Sequence, residues 1–132
     1  MSANHHLRKH ADYQRVYRDS RRQSGRQLAW FCAPRLTTAA PQIENKEINR
    51  PLSAEHPRIG LTVPKAIGNA VLRNRIKRRM RAAVSRHIHS LTAPVDVVLH
   101  PRRTAAEIEF TVLEREIAAI FTRIQKDFAK QP

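Results

Sequence analysis

The chain is short of several things that common protein classes need. Of its 132 residues only Cys32 is a cysteine, which excludes an internal disulfide and a thiolate metal cluster and leaves Cys32 the reading of a small buried hydrophobe. No apolar run approaches the roughly 18 residues that span a bilayer, and the opening MSANHHLRKH lacks the apolar stretch of a signal peptide, so the expected location is the cytoplasm. Gly68 in KAIGNA stands alone and does not make a phosphate-cradling loop of the Walker type. The seven histidines are scattered after the first three, with no HExxH pattern and no paired carboxylates. No catalytic or metal-ligating residue is therefore assigned.

Acidic residues are the other shortage. Eleven Asp and Glu face twenty-five Lys and Arg, a net charge of +14, and none lies between His56 and Val95. That window holds the densest basic stretch, with six Lys or Arg in the nine positions from Arg73 to Arg81. A helix over about 69–91 would place Leu72, Ile76, Met80, Ala83, Val84 and Leu91 on one face. Arg75, Arg79 and Arg86 would fall on one flank of the opposite side, and Asn74, Arg78, Arg81 and Ser85 on the other. Like charges at i,i+3 and i,i+4 spacing oppose such a helix, so a polyanion is its natural partner. Nucleic acid and an anionic surface both fit that description, and composition does not choose between them.

The remaining pattern is that of one domain with one core. Tyr13, Val16 and Tyr17 predict a short first helix, and LAWFCA (28–33), RIGLTV (58–63) and VDVVLH (95–100) predict three strands. Asn69 is the predicted N-cap of the basic helix. Phe110, Leu113, Ile117, Ile120, Phe121, Ile124 and Phe128 predict a last helix, with capping-box spacing at Thr104/Glu107 and Thr111/Glu114 as alternative starts. Residues 34–57 carry four of the eight prolines and are expected to form a long flexible loop. The expected class is α+β, a two-layer sandwich of three helices on a small mixed sheet. Tyr13 and Tyr17, with Phe31 or Trp30, are candidates for stacking on unpaired bases. Alternation puts Trp30 and Phe31 on opposite faces and leaves open which of them does so.

The run IGLTVPKAIGNAVLRNRIKRRMR resembles the signature of the bacterial ribonuclease P protein component. LRKHADYQRVY, GRQLAWFC and VDVVLH resemble the flanking first helix, first strand and later strand of that family. The resemblance implies a left-handed βαβ crossover and a protein subunit that assists a metal-dependent catalytic RNA in removing the 5′ leader of precursor tRNA. Chemistry and Mg2+ would then belong to the RNA, with no other protein partner required. Arg73, Asn74, Arg75, Lys77, Arg78 and Arg81 are implied to bind the RNA subunit. Tyr13, Tyr17, Phe31, Lys65 and Asn69 are implied to bind the single-stranded leader. Ala66 and Pro64 depart from the family pattern, where basic and small polar residues are common. A noncatalytic structural RNA-binding protein, for example a ribosome-associated one, is the alternative.

Overall fold

A computed structural model describes residues 5–35 and 56–129. In chain order these form α1 (His10–Asp19), β1 (Gln23–Ser24), β2 (Leu28–Pro34), β3 (Arg58–Leu61), α2 (Ala70–His87), β4 (Val95–Pro101) and α3 (Phe110–Ala129). The strands make one mixed sheet in the order β1-β2-β4-β3, with β3 and β4 parallel and the other neighbours antiparallel. β3, α2 and β4 are thus the expected βαβ unit, with the basic helix as its crossover.

Alternation sorts the strands into two faces. Trp30, Cys32, Ile59, Val97 and Leu99 share one face and pack with Ile76, Met80, Ala83 and Val84 of α2 and Leu113, Ile117, Phe121 and Ile124 of α3 in the main core. Phe31, Ala33 and Val98 point the other way and meet Leu7 and, from α1, Tyr13 and Val16. The α+β class is as expected, but α1 adds a layer to the two-layer sandwich. Its apolar stripe is only Tyr13, Val16 and Tyr17, enough to seat one helix on the sheet face that α2 and α3 leave uncovered. Trp30 is buried in the main core, so Phe31 faces α1. Cys32 lies at the edge of the main core, and burial, with smaller effects from Asp96 and Asp127, pushes its thiol up to about 12.

Several ends differ from expectation. The first strand runs one residue further, with Pro34 opposite Val95, so residue 34 belongs to the sheet and not to the loop. The described ends of that loop are tied by Arg35, whose guanidinium donates to His56 O at 2.7 Å. Positions 36–55 lie outside the described residues. β1 was not visible in the sequence, because two residues are too few to alternate. Thr104 and Glu107 fall in and after a 3-10 turn, Arg103–Ala106, and α3 begins beside the second candidate start, at Phe110. Ahead of α1, residues 5–7 run along the open edge of β3: His6 bridges to Ile59, and Leu7 N donates to Ile59 O at 3.0 Å.

Candidate nucleic-acid interface

The basic helix starts as its sequence predicts. Asn69 Oδ1 accepts from Leu72 N at 2.9 Å and satisfies one of the amides a helix leaves unpaired at its start. Ahead of it, Lys65–Ile67 forms a short 3-10 turn with Lys65 exposed. Along α2 the arginines then divide. Arg75 Nε donates to Ala106 O at 2.7 Å, Arg79 donates to Ala106 O at 3.4 Å and to Ile108 O, and Arg86 pairs with Glu114 at 3.5 Å. The flank carrying Arg75, Arg79 and Arg86 therefore anchors α2 to the segment leading into α3. The opposite flank, Asn74, Arg78 and Arg81, is exposed.

The implied RNA-binding set is thus on one helix but not equally available. Arg73 is half-buried, with Nε on Gly68 O at 3.2 Å, and Lys77 is half-buried as well. Arg75 remains exposed although its Nε is engaged. Among the described residues no salt bridge engages any basic side chain from Arg73 to Arg81. Their mutual repulsion is left for a partner to neutralise.

On the other face of the sheet, Tyr13 and Tyr17 have different surroundings. Tyr13 lies over Gly60 and donates from its hydroxyl to Leu7 O at 3.1 Å. A Cβ at Gly60 would come within 2.6 Å of the Tyr13 hydroxyl oxygen, so that close approach needs glycine. Tyr13 is half-buried, and burial pushes its phenol up from the ordinary value. Of the two tyrosines only Tyr17 is exposed, at 37%. Its ring lies edge-on to Phe31, at 5.0 Å and 77°. Lys65 follows β3 by four residues, in the turn joining this strand to the Asn69 cap. Asn69 is exposed, with its side-chain oxygen committed to the cap.

Two further groups were missed by sequence reasoning. His100 shares a 2.9 Å hydrogen bond with Tyr17 Oη, and Thr62 Oγ1 lies 3.3 Å from the same oxygen. Strand alternation on β4 puts His100 on the α1 face, a signal available but unused. The second group is ionic. Asp96 is fully buried and accepts from Arg58 at 2.8 and 2.7 Å and from Arg15 of α1, while Arg15 also donates to Pro34 O at 2.9 Å. A single acidic residue inside the apolar run VDVVLH was its only sequence mark. The network locks α1 against the sheet, and so sets where Tyr17 stands.

Residues 1–125 match the family model described as Ribonuclease P. A similar curated relative is the ribonuclease P protein component of Bacillus cereus strain B4264, 28% identical over 123 residues that cover 93% of each chain. Among solved structures, the Staphylococcus aureus RNase P protein is 29% identical, covers 94% of this chain and 97% of its own, and superposes with a TM-score of 0.65. The RNase P protein from Thermotoga maritima, at 16% identity, covers 89% of this chain and 96% of its own with a TM-score of 0.68, a likeness of fold alone.

Proposed function

Because the chain belongs to the ribonuclease P protein family, we propose that its two sheet faces divide the work of that protein component. α2 and the turn before it hold the catalytic RNA subunit, and the cleft between α1 and the sheet holds the single-stranded 5′ leader of precursor tRNA. The supporting observation is the layering: the exposed Asn74, Arg78 and Arg81 row lies on the helix layer of one face, and Tyr17 and Phe31 lie on the other. Lys65 and Asn69 occupy the connection between them. The family match favours this reading over a ribosome-associated one.

The physical roles follow from the side chains. Arg78 and Arg81, helped by Arg73, Arg75 and Lys77, neutralise phosphates of the RNA subunit and release counterions, and Asn74 adds an uncharged hydrogen-bonding group. Lower repulsion between phosphates lets RNA strands approach one another more closely. Tyr17 and Phe31 stack on unpaired leader bases with little sequence preference, because every base has a π-face. Tyr13 packs with Phe31 against Leu7, Val16, Ala33 and Val98.

We place bond cleavage, and the Mg2+ it uses, on the RNA subunit. Among the described residues no three His, Cys, Asp or Glu side chains converge as metal ligands, and the protein's contribution is carried by charge and stacking. We further place the particle in the cytoplasm, acting as one RNA-binding domain. Among the described residues no helix is long and apolar enough to cross a membrane.

The test is rescue at low magnesium. Added to its cognate catalytic RNA, the protein is expected to restore precursor-tRNA cleavage at a magnesium concentration where the RNA alone is inactive. No restoration, under conditions where another family member restores its own RNA, would overturn the assignment.

A further inference from the structure

Tyr17 is the exposed aromatic of the cleft, and an exposed tyrosine ordinarily samples several rotamers. A base that stacks on a mobile ring must first order it, and that cost is subtracted from the binding energy. Here the ring is already held. Its hydroxyl shares the 2.9 Å hydrogen bond with His100 Nε2 and approaches Thr62 Oγ1 at 3.3 Å. Phe31 and His100 stand at 77° and 81° to the Tyr17 ring, with centroids 5.0 and 5.6 Å away. Neither neighbour lies parallel on the ring.

The sheet explains how His100 reaches this place. Its cross-strand partner on β2 is Ala29, too small to crowd the imidazole. Thr62 N donates to Leu99 O at 3.0 Å, which carries Thr62 alongside His100 just beyond the end of β3. Burial, and then Arg22, hold the imidazole below its ordinary value, which favours the uncharged ring. A neutral imidazole can share a hydrogen bond with the phenol without bringing charge to it.

We propose that His100 is a positioning residue of the leader cleft: by fixing Tyr17 Oη, it holds the Tyr17 ring in the orientation in which an unpaired base stacks on it. This rests on the assignment of the α1 face to the leader and adds to it a residue outside the implied set. His100 acts through Tyr17 and not by touching RNA.

The experiment uses holoenzyme reconstituted from the full-length protein and its RNA subunit. Dissociation constants are measured for precursor tRNA and for the same tRNA without its leader. Tyr17→Phe, which keeps the ring and removes the hydroxyl, is expected to weaken precursor binding by about 3- to 10-fold and to leave mature tRNA binding unchanged. His100→Ala should do the same, the double variant should be no worse than either single one, and His100→Gln should recover most of the loss. A full-strength Tyr17→Phe beside a weakened His100→Ala, or losses that multiply in the double variant, would overturn the positioning role. A full-strength Tyr17→Phe overturns the role even if His100→Ala fails to fold. Tyr17→Ala separates the two levels. If it leaves the preference for precursor intact, the leader cleft itself is wrong. If it lowers the preference while Tyr17→Phe and His100→Ala do not, the cleft stands and the positioning role falls.

Discussion

Arg15 of α1 and Asp96 of β4, 81 positions apart in sequence, meet in a buried ion pair that fixes the first helix on the sheet. Asp96 also takes a two-pronged contact from Arg58 on β3, at 2.8 and 2.7 Å, and Arg58 reaches Asp12 of α1 at 3.5 Å. Three charges from two elements therefore close around one carboxylate that has no exposed surface. Losing that carboxylate removes the main anionic partner of two guanidinium groups, one of them buried.

Asp96→Asn is accordingly expected to cost about 3–5 kcal/mol of folding stability, the usual size for breaking a buried pair from one side. Urea unfolding followed by circular dichroism measures it. A loss below about 1 kcal/mol would mean that α1 is held mainly by its apolar contacts.

Gly60→Ala probes the same interface sterically. The added Cβ would meet Tyr13 at 2.6 to 2.9 Å, against the phenol end of the ring. Displacing Tyr13 also disturbs its hydrogen bond to Leu7 O. A destabilisation of about 1–3 kcal/mol is expected, together with weaker precursor binding. Unchanged melting behaviour would show that Tyr13 can swing clear, and that the glycine is not required.

How much of this was legible beforehand depends on how local each feature is. The Asn69 cap follows from its residue type ahead of the helix, and the buried face of α2 and the opposite placement of Trp30 and Phe31 on β2 from periodicities of 3.6 and 2, and the structure agrees with them. Which sheet face α1 would cover, and therefore whether Trp30 or Phe31 lined the cleft, depends on packing between distant segments. The same holds for Asp96 and His100. Each stands on a strand whose alternation is plain, but its partners, Arg15, Arg58 and Tyr17, are brought to it only by the order β2-β4-β3 and by α1 lying across it. The uneven availability of Arg73 to Arg81 likewise depends on where the carbonyls of Ala106 and Ile108 end up.

At the far end of α2, Glu114 of α3 accepts from His87 at 3.0 Å and pairs with Arg86. The His87 hydrogen bond, opposed by desolvation and aided by Arg86, holds the Glu114 carboxyl below its ordinary value of 4.5. A carboxyl lowered on folding contributes stability that is present above its unfolded value and is lost as pH falls through its folded one. The stability gap between the native protein and Glu114→Gln should thus be full near neutrality and should shrink in acid, below about pH 4.5. Thermal melts over that range check it, and a gap independent of pH would contradict the assignment.

The exposed flank of α2 makes a quantitative prediction about salt. Arg78→Ala combined with Arg81→Ala should lower the log-log salt slope for binding the RNA subunit by about 1.4 to 1.8, at roughly 0.7 to 0.9 per phosphate contact. Fold stability should hardly change, since neither side chain makes a salt bridge among the described residues. An unchanged slope would remove both residues from the RNA contact.

The most direct measurement is the ratio of holoenzyme affinities for precursor and mature tRNA, compared between the native protein and Tyr17→Ala. A leader cleft walled by Tyr17 predicts that this ratio falls by about 5- to 150-fold, the equivalent of one lost base stack, with mature tRNA bound as before. An equal loss for both RNAs, or no change in the ratio, would contradict the two-sided arrangement.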